Sequence, residues 1–319
     1  MKPRLVMYTA LMIAAAAIAT AVSHISTLPR HPHVVVHASL PVSLASYLGV
    51  FEAGSPPSYQ PIEEFATAAG RKPDIVGSFS GWAEPFDLSY AQMLEQHHMI
   101  PFVQIDPTFA SVSAIREGAY DTYLKAYADS VVDFGHPVII GFGHEMNAPW
   151  YPWGYGSLSP ATFVATWRYI VNLFNARGAD NVTWLWTINA DRPGTGPVAD
   201  WWPGKQYVTW VGIDGYYYRP SDTFMRVFGK TIDQVRAFTH KPILLSETAV
   251  GPRAGQLVKI QDLFSGMARY KTLGLMWFDK AQNDGVFHQD WRIEDSQTAE
   301  YSFRLGVRDE LAPTKARSG

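Results

Sequence analysis

Short apolar runs alternate with amphipathic stretches along the chain after about its first 45 residues. The apolar runs are rich in Val, Ile, Leu, Phe and Trp, as expected for strands that are covered on both faces. Eight of them are predicted as strands: Tyr47–Phe51, Asp74–Phe79, Pro101–Ile105, Val138–Phe142, Val182–Ile188, Val208–Ile213, Ile243–Ser246 and Leu273–Phe278. The amphipathic stretches are predicted as helices: Ile62–Ala69, Leu88–His98, Tyr120–Phe134, Pro160–Ala176, Phe224–Thr239, Gln256–Lys271 and, last, Ser296–Leu305.

The stretch from Pro160 to Ala176 is the clearest of the predicted helices. Ser159 is a favourable N-cap, Pro160 suits the first helical position and Gly178 suits the C-terminal end. By contrast, the connection from Asn189 to Gln206 is rich in Pro, Gly and Trp, and it is predicted to be a loop beside the functional site.

The spacing of the strands decides the fold class. The first and last runs begin 226 residues apart, at Tyr47 and Leu273, which gives about 32 residues per strand–helix unit. We therefore predict an α/β protein with a (β/α)8 TIM barrel, in which functional residues gather at the C-terminal ends of the strands. An open doubly wound sheet is the alternative, but Gly49 and Gly54 after the first strand do not form the Gly-rich phosphate loop typical of that fold.

The N-terminal segment resembles an export signal. Lys2 and Arg4 precede an apolar, Ala-rich stretch from Leu5 to Val22, and Ala19-Thr20-Ala21 offers a cleavage site. We predict that residues 1–23 are a signal peptide or an uncleaved membrane anchor, that residues 24–43 are a linker, and that residues 44–310 are the catalytic domain. Either form of the leader places that domain outside the cytoplasm, secreted or in the cell envelope.

Composition excludes several functions. The net charge of −3 and the absence of any long Lys or Arg run argue against nucleic acid as a partner. The chain has no Cys, so neither a disulfide nor a Cys-based metal site can form. We expect a monomer.

Two glutamates carry the predicted chemistry. Glu145 follows the apolar run Val138–Phe142, and Glu247 ends the run that begins at Ile243. A pair of carboxyl groups at a barrel mouth can cleave a glycosidic bond, one as acid/base and the other as nucleophile. Nearby residues are candidates for positioning the catalytic groups or binding sugar: His144, Asn147, Trp150, Trp153, Tyr216 and Trp277.

Structural roles are the competing interpretation of these residues. A strand-end Glu can form a salt bridge, and His144 can be a hydrogen-bonded core residue. The His31-Pro32-His33 sequence resembles a metal-binding motif, but it lies in the linker, far from any predicted strand end. Two glutamates in similar aromatic surroundings favour catalysis.

With these residues in view, the chain resembles glycoside hydrolase family 26, whose best-known members are β-mannanases. The most specific part is His144-Glu145-Met146-Asn147, followed by Trp150-Tyr151 and Trp153-Gly154. The resemblance implies that Glu145 is the acid/base, that Glu247 after Ser246 is the nucleophile, and that Tyr216 contacts the nucleophile. Trp277 resembles the substrate-binding Trp of the eighth strand.

The sequence departs from the familiar family pattern at two positions. Gly141 stands where Arg is usual, and Ala148 stands where Gly is frequent. The resemblance implies an endo-acting, retaining glycosidase without a metal or organic cofactor, and β-1,4-mannan as its polysaccharide substrate. Mixed-linkage β-glucan and β-1,3-xylan are alternative substrates. A glycan-binding protein without catalysis and a metal-dependent hydrolase are alternatives from other functional classes.

Overall fold

A closed parallel barrel forms the centre of the molecule. The computed structural model describes residues 40–251, 255–282 and 289–311. The barrel strands follow one another in sequence order: β1 (Tyr47–Glu52), β2 (Ile75–Gly81), β3 (Ile100–Asp106), β4 (Val138–Phe142), β5 (Val182–Asn189), β6 (Trp210–Asp214), β7 (Ile243–Thr248) and β8 (Gly274–Asp279). The predicted (β/α)8 barrel is confirmed, and the open-sheet alternative is wrong because β1 pairs with β8 in a parallel register from Tyr47↔Gly274 to Glu52↔Asp279.

Helices follow the strands and cover the outside of the barrel. They are α1 (Gln60–Ala69), α2 (Leu88–Gln96), α3 (Val112–Arg116), α4 (Asp121–Phe134), α5 (Pro160–Ala176), α6 (Lys230–Arg236), α7 (Gln256–Tyr270) and α8 (Gln297–Glu310). A two-stranded antiparallel pair, β9 (Ala281–Gln282) and β10 (Gln289–Asp290), follows β8.

Helix α5 shows how local sequence sets an element. The Ser159 hydroxyl accepts a 3.1 Å hydrogen bond from the Thr162 amide, Pro160 lies in the first turn, and Gly178 beyond the end has a φ of +81°. These are the start and stop signals that the sequence predicts. Its apolar side chains, including Phe163 and Trp167, are buried against the barrel.

The core has two layers. Side chains that point into the barrel form the inner layer, with members such as Phe51, Phe102, Trp210, Leu244 and Met276. A larger layer lies between the strands and the helices. The inner layer is close-packed: a Cβ atom on Gly77 would lie 2.3 Å from the ring of Phe51. Such packing makes the barrel a rigid support for the side chains at its rim.

Some element predictions differ from the structure. Helix α3 was not predicted because five residues are too few to show helical periodicity, although Ser111 caps it. The predicted helix Phe224–Thr239 is a π-helical turn, Met225–Gly229, followed by α6. The β5–β6 connection contains only one 3-10 turn, Val198–Trp201, in agreement with its prediction as a loop.

The predicted leader, residues 1–23, and residues 24–39 of the predicted linker lie outside the described residues. None of the helices in the described ranges combines the length and apolar character needed to cross a membrane.

Candidate active site

Glu145 and Glu247 lie at the C-terminal end of the barrel, where the prediction placed them. Glu145 follows β4 with a φ of +54°, a conformation that costs a non-Gly residue free energy and is concentrated at functional sites. Its amide donates a 2.9 Å hydrogen bond to the Thr187 carbonyl of β5. Glu247 lies within β7 and pairs with Asp214 of β6. Neighbouring strands thus fix both backbones.

Both oxygens of the Glu145 carboxylate accept hydrogen bonds. Asn189 at the end of β5 donates from Nδ2 to Oε1, and the Trp150 indole donates from Nε1 to Oε2 at 2.6 Å. Glu145 is only 7% exposed. Two donors from different elements hold the carboxyl group in one orientation.

Only one of the two carboxylate oxygens of Glu247 accepts a hydrogen bond from a described residue. The Tyr216 hydroxyl donates a 2.6 Å hydrogen bond to Oε2, as the sequence predicts, while the buried Oε1 has no partner among the described residues. Burial raises the pKa of Glu247 to about 7, and the charge of Glu145 contributes to the rise. The positive charge of His144, the Tyr216 hydrogen bond and the charge of Lys280 oppose it. These three groups therefore favour the ionised carboxylate.

His144 supplies a buried positive charge. Nδ1 lies 2.9 Å from Oδ1 of Asp106, and Nε2 lies 3.1 Å from the hydroxyl of Tyr151. Burial lowers the pKa of His144, but the hydrogen bond and charge of Asp106, together with the charges of Glu247 and Glu145, outweigh it and raise the pKa to about 9. At neutral pH the ring is an imidazolium, so Nδ1–H donates to Asp106. His144 is thus a charged member of the site.

Asn147 does not present its side chain to the cleft. It is fully buried, its Nδ2 donates to the Asn189 carbonyl at 2.9 Å, and its Oδ1 accepts from the Asn189 amide at 2.8 Å. The predicted contact between Asn147 and a sugar hydroxyl is therefore wrong. Asn147 instead fixes the backbone of Asn189, the residue that hydrogen-bonds Glu145.

Two of the three predicted sugar-stacking tryptophans are buried in the protein. Trp153 is 2% exposed, stacks on Tyr151 and donates from Nε1 to the His144 carbonyl at 2.8 Å. Trp277 is fully buried, packs 5.0 Å from the ring of Phe303 in α8 and donates to the Trp291 carbonyl. Their predicted roles in binding sugar are wrong, because neither indole face is open to a ligand.

Trp150 is the tryptophan that faces solvent, with 40% of its surface exposed. It lies on the wall of a cleft of about 590 Å³ beyond the ends of β4, β5 and β6, which we call the arginine cleft. Its lining residues are Pro149, Trp150, Asn189, Ala190, Asp191, Arg192, Pro193, Gly215, Tyr216, Tyr218, Arg219, Asp222, Arg226 and Val227. Two of the lining residues, Trp150 and Tyr216, donate hydrogen bonds to Glu145 and Glu247, so the cleft adjoins the two glutamates.

The departure at Gly141 has a structural cause. Gly141 of β4 lies opposite Gln104 of β3, and a Cβ atom at this position would lie 1.8 Å from Oε1 of Gln104. Gln104 is fully buried and donates from Nε2 to the Thr187 hydroxyl at 3.1 Å. Gln104 therefore occupies the space into which a side chain at position 141 would point. Ala148, the other departure, is fully buried as well.

A second carboxyl pair lies where β1 and β8 meet. Glu52 pairs in register with Asp279. Burial raises the pKa of Glu52 to about 8, and burial and the charge of Glu52 raise the pKa of Asp279. The pair therefore retains a proton at neutral pH. Lys280 follows, with Nζ 5.0 Å from the ring centre of Phe278, and burial lowers its pKa.

Several of these residues were not assigned roles from sequence. Asn189, Asp106 and Glu52 stand at strand ends, which was the available signal, but their types are common at structural positions. Lys280, Arg192 and Arg219 lie in loops and Arg226 lies in the π-helical turn, positions where charged residues are usually solvated. Within the described ranges, no group of three or more His, Asp or Glu side chains is arranged to hold a metal ion.

The sequence of this chain is similar to those of several known proteins. A profile described as glycosyl hydrolase family 26 matches residues 114–302. Endoglucanase H of Acetivibrio thermocellus is 30% identical over 271 residues, which are 80% of this chain and 29% of that protein. A mannan endo-1,4-beta-mannosidase of Bacillus subtilis strain 168 is 27% identical over 205 residues, 58% of this chain and 53% of that protein. Beta-1,3-xylanase TXYA of a Vibrio species is 24% identical over 151 residues, which are 47% of this chain and 31% of that protein.

Solved structures agree on the fold. A mannanase of Bacillus subtilis superimposes with a TM-score of 0.64 at 20% identity, over 85% of this chain and 87% of that chain. A β-mannanase of Bacteroides ovatus superimposes with a TM-score of 0.62 at 15% identity, over 83% of this chain and 89% of that chain. The chain spans less than a third of endoglucanase H and about half of the mannosidase. Because the family profile matches more than half of its length, the chain belongs to glycosyl hydrolase family 26.

Proposed function

We propose that this protein is an endo-acting, retaining glycoside hydrolase that cleaves a β-linked polysaccharide, with β-1,4-mannan as the first candidate. The observation that carries the proposal is the pair of buried glutamates at the ends of β4 and β7, each held by hydrogen bonds, with the charge of Glu145 helping to raise the pKa of Glu247. A structural role would leave such buried carboxylates costly and unexplained.

In the first chemical step, Glu145 acts as the acid and Glu247 as the nucleophile. An oxygen of Glu247 attacks the anomeric carbon, the glycosidic bond breaks, and Glu145 transfers its proton to the leaving oxygen. We assign Oε1 of Glu247, which has no hydrogen-bond partner among the described residues, as the attacking oxygen. In the second step, Glu145 removes a proton from water, which attacks the same carbon and releases Glu247. Two inversions give net retention.

The surroundings of the pair support this division of roles. The nucleophile must be ionised, and His144, Tyr216 and Lys280 all favour the ionised form of Glu247. The protonated His144 also adds a positive charge beside both glutamates. Glu145 is held by neutral donors, Asn189 and Trp150, which can orient it in either protonation state.

The choice of substrate is supported by the relatives. The matched proteins include an endo-1,4-beta-mannosidase, an endoglucanase and beta-1,3-xylanases, so mixed-linkage β-glucan and β-1,3-xylan are the alternatives to mannan. Trp150 and the tyrosines of the arginine cleft provide aromatic surface for sugar rings. The N-terminal segment supports export and thus access to such polymers. We propose that the protein acts as a monomer, secreted or at the cell envelope.

The test is the release of reducing sugar from linear mannan, galactomannan, glucomannan, mixed-linkage β-glucan, β-1,3-xylan and cellulose. Proton NMR of the first product shows whether the anomeric configuration is retained. Glu145→Ala and Glu247→Ala should each lower turnover by at least about 10²-fold, because each removes a group that reacts in the transition state. Added azide should restore a glycosyl product of retained configuration to Glu145→Ala, and one of inverted configuration to Glu247→Ala.

The other possible results of these assays distinguish the proposed function from its alternatives. Activity on β-glucan or β-1,3-xylan alone keeps the mechanism and replaces mannan as the substrate. Loss of activity on addition of a chelator would favour the metal-dependent alternative. A folded protein that binds these polymers without cleaving any of them would be a glycan-binding protein, and the proposed function would be wrong.

A further inference from the structure

Three arginines line the arginine cleft, and each comes from a segment that follows a barrel strand. Arg192 follows β5, Arg219 follows β6, and Arg226 lies in the π-helical turn before α6. Arg219 and Arg226 are exposed, and Arg192 is partly buried. Their concentration in one cleft contrasts with the net charge of −3 for the whole chain.

The acidic residues of the cleft do not neutralise these arginines. Asp191 forms a 2.7 Å salt bridge with Lys230. Asp222 accepts a 2.7 Å hydrogen bond from the backbone amide of Arg219. In the part of the chain that the structure describes, none of the three guanidinium groups forms a salt bridge with a carboxylate. The cleft therefore has positive charge available to a ligand.

The cationic surface begins next to the candidate acid/base. The guanidinium carbon of Arg192 lies 4.4 Å from the ring centre of Trp150, and Trp150 in turn donates to Glu145. Arg219 and Arg226 line the same cleft as Arg192. Because Glu145 would protonate the leaving oxygen, a sugar bound along the arginines belongs to the leaving-group side of the cleaved bond.

A neutral glycan does not require this arrangement. Sugar hydroxyls are bound well by neutral amides, hydroxyls and carboxylates, whereas a guanidinium group matches a carboxylate in both shape and charge. Aromatic faces beside guanidinium groups suit a ring that carries a carboxylate at its edge. Trp150 and Tyr218 provide those faces within the same cleft.

We propose that the arginine cleft binds carboxylate groups of an acidic β-glycan on the leaving-group side of the scissile bond. The carboxylates belong either to uronic acid residues or to acidic acyl substituents, which share the chemistry that the guanidinium groups recognise. The inference rests on the proposed function, since the hydrolytic site defines which side of the cleft receives the leaving group. It makes the acidic substituent a determinant of specificity.

The test compares a neutral glucomannan with two derivatives, one oxidised at part of its C6 positions to uronic acid and one partly succinylated. kcat/KM is measured for the wild-type protein and for Arg219→Gln/Arg226→Gln. The control is Lys72→Gln/Arg308→Gln, which removes two positive charges from exposed positions after α1 and in the last turn of α8, outside the arginine cleft. Circular dichroism and the single variant Arg226→Gln show that changes are not due to misfolding.

We expect the wild-type protein to prefer at least one acidic derivative over the neutral polymer by roughly fivefold, the range for one or two exposed charge-assisted contacts. The preference should disappear in Arg219→Gln/Arg226→Gln and persist in the control. It should also weaken as salt rises from about 0.01 M to about 1 M, because the screening length shrinks. The derivative that shows the preference identifies the source of the carboxylate.

Equal or lower kcat/KM on both acidic derivatives, or a preference that survives in Arg219→Gln/Arg226→Gln, would overturn the inference. Affinity electrophoresis of Glu247→Ala in gels containing each polymer separates this result from failure of the proposed function. If no polymer is hydrolysed, stronger retardation by an acidic polymer, lost when the two Arg substitutions are added, still supports the arginine site. Equal retardation by all three polymers contradicts it.

Discussion

The Tyr216 hydroxyl donates a 2.6 Å hydrogen bond to Oε2 of Glu247, whereas Oε1 of the same carboxylate is buried without a partner among the described residues. This asymmetry fixes the orientation of the carboxylate and leaves one oxygen for chemistry. Among the described residues, Tyr216 is the one hydrogen-bond donor to this carboxylate, so its effect on the pKa of Glu247 can be tested by removing a single hydroxyl group.

Tyr216→Phe should lower kcat/KM by roughly 10- to 100-fold, the cost of losing a hydrogen bond to a charged group. Because the Tyr216 hydrogen bond lowers the pKa of Glu247, its loss should move the acidic limb of the pH profile upward from about 7. The pH dependence of kcat/KM for the free enzyme measures this shift. Tyr217→Phe is the matched control, because the Tyr217 hydroxyl donates to Asp262 instead. An unchanged acidic limb in Tyr216→Phe would contradict the assignment.

Glu247→Gln should stabilise the folded protein at alkaline pH. The pKa of Glu247 is raised from 4.5 to about 7 on folding, so its neutral form is favoured in the folded state. Wild-type stability from this group is complete below about pH 4.5 and is lost as pH rises through 7. The variant, which cannot ionise, should match the wild type near pH 4 and exceed it near pH 8 by up to about 3 kcal/mol. Thermal unfolding at both pH values checks this; a constant difference between the proteins would refute it.

Asn147→Ala should reduce catalysis although Asn147 contacts no substrate. The substitution removes both hydrogen bonds to the Asn189 backbone and leaves buried polar groups unpaired, at a cost of about 1–3 kcal/mol. Asn189 would then hold Glu145 less firmly, so kcat should fall more than KM rises. Thermal unfolding and steady-state kinetics measure the two effects. An increase in KM alone would restore the original prediction that Asn147 binds a sugar hydroxyl.

Trp277→Phe should reduce stability without changing KM. Trp277 fills the space between β8 and α8, and its smaller replacement leaves a cavity and removes the hydrogen bond to the Trp291 carbonyl, at a cost of about 1–3 kcal/mol. Trp150→Phe provides the comparison, since this exposed residue contacts Glu145 and should affect the kinetics more than the stability. Chemical denaturation and KM on the preferred polymer distinguish the two variants. A rise in KM for Trp277→Phe would contradict its structural role.

The barrel and its two glutamates were predictable because both follow from one pattern. Strands covered on both faces produce continuous apolar runs, and a carboxylate that follows such a run is expensive unless it has a function. The alternation of side chains along a strand also predicts the direction in which Trp277 points. Met276 points into the barrel, so Trp277, one residue later, must point outward towards the helices.

The remaining site residues depend on information that sequence order does not contain. Asn147 lies in the irregular segment after β4, where no periodicity reports the direction of a side chain. Its pairing with Asn189 joins positions 42 residues apart. The arginines of the cleft are likewise separated in the chain and come together only through the order of strands β5 and β6. Each has the sequence context of a solvated residue, and only the fold brings the three into one cleft.

Gly141 also constrains the order in which this sequence can change. With Gln104 in place, every larger residue at position 141 meets a filled site. A larger residue at position 141 therefore requires the Gln104 side chain to shift or to become smaller. We expect family members to vary these two positions together, so that a bulky residue on one strand accompanies a small residue on the other. An experiment that transfers substrate specificity between this protein and a relative should therefore exchange the residues at positions 104 and 141 together.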